Sequence, residues 1–514
     1  MKLFIKHNSG LKFKNYIFLS FVIVYSIVLI YLSFKINISE DETYTLNTTS
    51  HNLVRVIKQS YNFEAQPPVY FLLLSLWRQL YSGIFFAKLF SLLFIGLSAC
   101  VFYKLVLFFS VGNSSKWMTV IFLLNPFTVW AALEMRTYSL LIFLSTLSIY
   151  FFFWYYFEEK RKFLYLSLFI SAIGMYTQYF FIFLIASLAF IILIFKGWQR
   201  FLKFSLCLIP ILLLFLPNLK FLPNQISVQE SRDIEQFPFS VISEIIHTPQ
   251  SLLLAINLVP DVWINRFVRA AFLLSAVYIY FKLYKRHLIQ SNSFFEKYNI
   301  VLLSILSMLI LFSAGFVITG VGYDNKYMVT VFPFFILLFT IFENYSIIFR
   351  RLIYGAIAIY FIILLTLNYW HPVKTYDFVS IAKYIKIIEH PNEPILIYRP
   401  AIALPFGYYY NGINKIIPIP HPVKFDSDYL INIKDTAELK QSIENIKPVP
   451  KFYILISDTT IYESSVNMNR KMVTDYLNNN YKITLDTLFY GWSKNMPIRI
   501  RSFENKNGLT FPNN

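Results

Sequence analysis

The sequence predicts a mainly α, polytopic transmembrane helical bundle of about eleven spans, followed by a small extracytoplasmic α/β domain. Three observations carry this. The 514-residue chain is 57% hydrophobic and only 14% charged, a balance foreign to an ordinary soluble globule. Its apolar stretches are long and unbroken, which argues against a β-barrel, whose segments alternate between lipid and lumen. Beyond residue 371 the long apolar runs stop and charge density rises.

The elements follow in order. Lys2, Lys6, Lys12 and Lys14 precede the run Tyr16–Phe34. The run is too long for a signal-peptide core and no small-residue cleavage site follows, so it reads as a retained anchor with a cytoplasmic N-terminus. Further apolar runs lie near 85–109, 117–131, 138–157, 163–176, 179–195, 204–219, 266–284, 300–319, 327–343 and 352–370. Those at 117–131 and 163–176 are short. Pro67 and Pro68 suit the start of a helix, and Arg78 and Gln79 suit an interface, so Val69–Leu80 reads as a helix lying along the membrane surface. Asn218–Asn265, with Arg232, Asp233, Glu235 and His247, reads as a long outer loop of the kind that is usually functional or disordered. In the tail, "FVSIAKYIKII" has helical apolar spacing and "NRKMVTDYLNN" continues the helical pattern. "PILIY", "FYILIS" and "YKITLDTLFYG" read as strands. The division is therefore 1–370 for the helical domain and 371–514 for the α/β domain.

The formal net charge is +18. In a soluble protein this would suggest nucleic acid. Here cytoplasmic loops collect Lys and Arg by the positive-inside rule, and no nucleic-acid partner is expected. "EEKRK", "KGWQRFLK", "KLYKRHLIQSNSFFEKYN" and "FRR" are basic, while "ALEMR", "YTQ" and "TGVGYDNK" hold one cation or none. That asymmetry puts Glu40–Glu42 and the whole tail outside. Cys100 and Cys207 fall within apolar runs, so neither a disulfide framework nor a thiolate metal site is expected.

Charge near hydrocarbon costs about 2.5–3.5 kcal/mol at a helix centre, so charges kept there tend to have partners or tasks. Four groups recur at the outer ends of the spans: Glu40, Asp41 and Glu42; Glu64; Glu134 and Arg136; Asp324 and Lys326. In a bundle these can converge on one outer patch. A carboxylate can accept a hydroxyl proton, while Arg and Lys can hold a phosphate, Arg through two parallel bonds. The combination suits a hydroxyl displacing a phosphate-linked group carried on a lipid.

"SEDETYTL", "EAQPPVYFLLLSLW", "EMRTYSLLIFLSTLSIYFFF", "GMYTQYFFIFL" and "KYMVTVFPFFILL" occur in this order. Together they resemble the GT-C superfamily of membrane glycosyltransferases, over roughly residues 16–370. Within it they look most like glycosyltransferase family 39, the dolichyl-phosphate-mannose protein mannosyltransferase-like proteins, which are related to the aminoarabinose transferases. The resemblance implies transfer of a sugar from a polyprenyl-phosphate donor to a protein, lipid or glycan acceptor, at the outer face of a bacterial cytoplasmic membrane. It also implies roles. Asp41 and Glu42 match the family's acidic pair, with Asp41 as base. Glu64, Ala65, Gln66, Pro67 and Pro68 match an acidic-x-His-Pro-Pro stretch, with Gln66 in place of histidine. Glu134, Arg136 and Tyr138 match a Glu-x-Arg-x-Tyr element. Lys326 and Tyr327 match a basic-Tyr pair, with lysine where arginine is frequent. Arg136 and Lys326 would bind the donor phosphate; Glu64, Gln66, Glu134, Tyr138 and Tyr327 would bind substrate.

The expected reaction is a single inverting displacement. No firm cofactor is implied, although clustered carboxylates could hold a divalent cation. The rival class is a lipid or glycolipid transporter without transfer activity. The charges favour the enzyme, because they gather at one face rather than at midplane, and no inverted repeat is visible.

Overall fold

The computed structural model describes residues 9–109, 114–223, 225, 238–255, 262–289, 293–319, 323–374, 376–425, 435–444, 449–457, 464–491 and 497–505. Arg232, Asp233 and Glu235 of the expected outer loop lie outside these residues. The chain forms two compact units: residues 1–34 with 66–367, and residues 35–65 with 368–514. The sequence reading left 35–65 with the helical part; in the structure this segment joins the tail.

The first unit is helical. Each of the eleven apolar runs is helical, though not each is a span of its own. Among the described residues, six helices are long and apolar enough to cross a membrane, or seven if one bent pair is counted as a span. Phe181–Lys196, Val69–Leu80 and Phe332–Asn344 are apolar but shorter. Helices Tyr16–Lys35 and Trp198–Leu219 bury only 17% and 11% of their apolar windows, leaving side chains that suit contact with lipid. Together these features describe a multi-pass membrane protein.

The bent pair has a local cause. Asn125 and Pro126 interrupt the run between Ser114–Leu124 and Pro126–Leu133, which meet at 57°. Proline cannot continue the preceding helix but fits the first turn of the next. Asn125 Oδ1 accepts from Phe127 N–H (2.9 Å), and its amide donates to the Leu252 carbonyl (3.0 Å).

Neighbouring helices meet through small polar residues. Helix Ile84–Val106 packs on Tyr138–Glu158, which packs on Arg161–Met175. Between the last two, Ser148 Oγ lies 2.7 Å from Ser171 Oγ and 3.2 Å from Ser167 Oγ. Helix Phe181–Lys196 joins Ser293–Thr319 through Ser307 Oγ, which donates to Ser187 Oγ (2.8 Å). Such bonds hold helices where lipid supplies no hydrophobic drive between them. Val69–Leu80 is a helix, as its prolines suggest, and its first N–H donates to the Tyr176 carbonyl (3.0 Å).

The second unit contains a five-stranded sheet ordered β2-β1-β3-β5-β4, with β1 Ile395–Tyr398, β2 Ile416–Ile419, β3 Lys451–Ser457, β4 Tyr481–Tyr490 and β5 Pro497–Asn505. Strands β2, β1 and β3 are parallel; β5 is antiparallel to both β3 and β4. Both faces of β1 are covered, which is why it reads as an unbroken apolar run. Ile395 and Ile397 pack with helices Phe378–Ile388 and Pro400–Tyr409. Leu396 and Tyr398 pack with helices Thr436–Glu444 and Ser464–Asn480.

Candidate active site

The acidic triplet is not a solvated loop. It forms the first turn of a nine-residue helix, Glu40–Thr48, capped by Ser39. Ser39 N–H donates to Glu42 Oε2 (2.9 Å), and Glu42 N–H donates to Ser39 Oγ (3.4 Å). This reciprocal capping follows from Ser and Glu three residues apart, and acids in a first turn face the positive end of the helix dipole.

The same Glu42 oxygen lies 2.6 Å from Lys374 Nζ, and Glu42 is fully buried. Its carboxylate thus serves both the cap and the ion pair. Asp41 and Glu40 are both half-buried on the same turn. Burial pushes Glu40 above the usual carboxylate range, Arg399 pulls it back, and Asp41 pushes it up again.

Neighbouring residues of this unit fix the acid helix. Asn37 donates to the Tyr376 carbonyl (2.6 Å) and accepts from Lys374 N–H (2.8 Å). Ile38 N–H donates to Tyr409 Oη (2.8 Å). Burial pushes the Tyr409 phenol up to about 12, so it stays protonated. Tyr44 packs edge-on against Phe63 and belongs to one apolar cluster with Ala401. Burial first, then Glu40 and Asp41, push its phenol far above the usual range. Glu64 is buried and accepts from Thr48 Oγ1 (3.1 Å). The next residue, Ala65, has φ +53°, a left-handed corner that costs a non-glycine residue roughly 1–2 kcal/mol.

The remaining candidates belong to the helical unit. Gln66 is half-buried, and its Oε1 has no hydrogen-bond partner among the described residues. Glu134 closes helix Pro126–Leu133, and its carbonyl accepts from Ser91 Oγ (2.6 Å). Arg136 is buried. Tyr138 starts the next helix with its ring 4.7 Å from that of Trp130. Lys326 lies in a 3-10 turn, Asn325–Thr330, capped by Asp324, whose carboxylate is 3.1 Å from Lys326 Nζ. Tyr327 is wedged between the rings of Phe180 (5.2 Å) and Phe316 (5.6 Å).

That turn packs on helix Tyr138–Glu158, which Tyr138 begins. It also packs on helix Pro238–Leu254, which occupies part of the expected outer loop. Thr248 Oγ1 lies 2.5 Å from Tyr323 Oη and 2.6 Å from Asn325 Oδ1. The candidates therefore divide: Asp41, Glu42 and Glu64 in one unit, and Gln66, Glu134, Arg136, Tyr138, Lys326 and Tyr327 in the other.

Sequence reasoning passed over three cations. Lys88 is buried in helix Ile84–Val106, one turn before Ser91. A lysine within an apolar run was itself a signal. Lys374 and Arg399 had no local signal, since their acids lie far away in the chain. Among the described residues, no group of three or more His, Cys, Asp or Glu gathers in a way that could hold a metal ion.

No protein-family model and no curated protein matches the chain. Solved structures do. The chain is similar to ArnT from Cupriavidus metallidurans in the apo state, at 12% identity and TM-score 0.53, over 98% of this chain and all of that one. It is also similar to the same protein bound to undecaprenyl phosphate, at 13% identity and TM-score 0.50, over 96% and 99% of the two chains. At such identity the likeness is one of fold. It extends along nearly all of the chain, tail included, and singles out no family.

Proposed function

We propose that the chain is a membrane glycosyltransferase. It moves a sugar from a polyprenyl-phosphate donor to an acceptor hydroxyl at the outer face of a bacterial cytoplasmic membrane, where the tail unit also lies. The observation that carries this reading is full-length likeness in fold to ArnT, one of whose structures is bound to undecaprenyl phosphate. The acid helix adds to it by holding Asp41 on a rigid, capped turn.

In the proposed reaction the acceptor oxygen attacks the anomeric carbon and its proton passes to Asp41. General-base help of this kind contributes about 10²–10⁴-fold. The bond from the anomeric carbon to the phosphate oxygen breaks, and polyprenyl phosphate leaves with the electron pair. Attack from the opposite face inverts the anomeric centre. Arg136 and Lys326 balance the charge growing on that phosphate, a contribution set in place before reaction. Lys326 exchanges its Asp324 partner for the phosphate. Gln66, with an acceptor oxygen still to satisfy, suits a sugar hydroxyl; Glu64, Glu134, Tyr138 and Tyr327 shape the surroundings.

The test is purified full-length protein in lipid with a radiolabelled polyprenyl-phosphate sugar. Release of free polyprenyl phosphate with transfer of label to an acceptor, or slowly to water, is expected. Donor that stays intact, or that crosses the bilayer uncleaved, contradicts the proposal.

A further inference from the structure

Arg399 is the first residue beyond the carboxyl end of β1. Strand β1 is followed by a helix on one sheet face, whereas β3 is reached through a helix on the other, so the winding switches between these neighbours. Open α/β sheets hold their ligands at such a crevice. In this unit the acid helix comes to it: helix Pro400–Tyr409 packs on Glu40–Thr48, and Tyr44 clusters with Ala401, two residues past Arg399.

Arg399 itself is half-buried with φ +66° and ψ 92°. A left-handed backbone costs an arginine roughly 1–2 kcal/mol, and glycine would avoid it. Glu40 feels the guanidinium, as does Tyr44. The other charged and titratable groups around these acids are Asp41 on the same turn, Glu64, the Lys374–Glu42 pair and Tyr409.

We propose that Arg399 is a positioning residue for catalysis. It neutralises Glu40, so that the adjoining Asp41 stays ionised and ready to accept the acceptor proton. The inference rests on the transferase reading, because it takes Asp41 as the base.

The balance of charge sets the expected signs. Removing the cation raises the proton affinity of the acids, and removing Glu40 lowers that of Asp41. In full-length protein, Arg399→Met is expected to move the acid limb of kcat/KM up by about one pH unit. Glu40→Gln is expected to move it down, and the double variant to return toward the parent. Arg399→Lys, which keeps a charge, is expected to restore much of the limb. Activity lost in Arg399→Met with an unmoved limb overturns the inference, since a purely structural arginine would lower the melting temperature alone.

A parent without turnover counts against the transferase reading. The inference is then read from melting temperatures of the two single variants and the double between pH 4 and 8. Non-additive effects that vanish when Glu40 is protonated support the charge coupling; additive effects throughout overturn it.

Discussion

Lys374 Nζ sits 2.6 Å from Glu42 Oε2, and Glu42 has no solvent exposure. A residue just before the tail's first helix thereby neutralises an acid just after the first membrane helix. Removing one partner of a buried pair leaves an uncompensated charge and costs about 3–5 kcal/mol. Lys374→Met is therefore expected to lower the melting temperature of the detergent-solubilised protein sharply. Lys374→Met combined with Glu42→Gln is expected to recover part of the loss. Equal melting temperatures for Lys374→Met and the parent would contradict the pairing.

Glu40 gives a dependence on pH. Its folded proton affinity lies above the ordinary 4.5, mainly through burial. The native state thus favours the protonated acid. Its contribution to stability is fully present below pH 4.5 and is lost as pH rises through the folded value. Glu40→Gln removes that loss. The variant is expected to melt above the parent at pH 7 and alongside it at pH 4. A gap that widens toward acid would have the wrong sign.

The two phosphate-binding candidates differ in kind. Arg136 is buried and can offer a planar fork, whereas Lys326 is a point charge paired with Asp324. Arg136→Met and Lys326→Met are each expected to lower turnover by about 10²–10³-fold, as for other groups facing developing charge. Lys326→Arg keeps the charge and is expected to retain most activity; Arg136→Lys loses the fork and is expected to retain less. Steady-state release of labelled polyprenyl phosphate checks all four. Full activity in both methionine variants would remove these cations from the reaction.

Charge on the leaving phosphate is assigned to those cations. Turnover is accordingly expected to persist after dialysis against EDTA. Loss of turnover that Mg²⁺ or Mn²⁺ restores would show that a divalent cation shares the work.

Much of the fold was legible because a membrane demands long apolar runs, and each of the eleven runs is helical. The break at Asn125–Pro126 was signalled by its proline, yet a run count cannot tell a bent pair from a plain span. The cap of the acid helix was written locally, as Ser39 and Glu42 at capping-box spacing. What it is capped against was not. Asn37 and Lys374 are bonded across 337 residues of chain, and pairing at that range leaves no periodicity to read. Arg399 escaped notice for the same reason: a lone arginine after a strand announces nothing until the acid helix is packed beside it. Resemblance to known motifs pointed to Asp41 and Glu42 alike, and only their surroundings separate a carboxylate locked in a cap from one left half-exposed.

Asp41 as base is tested most directly by turnover of labelled polyprenyl-phosphate sugar by Asp41→Asn beside the parent, with melting temperatures recorded for both. Asparagine keeps the shape and cannot accept the proton. A fall of about 10²–10⁴-fold at an unchanged melting temperature is expected. An Asp41→Asn protein that melts normally and turns over at the parental rate would contradict that role.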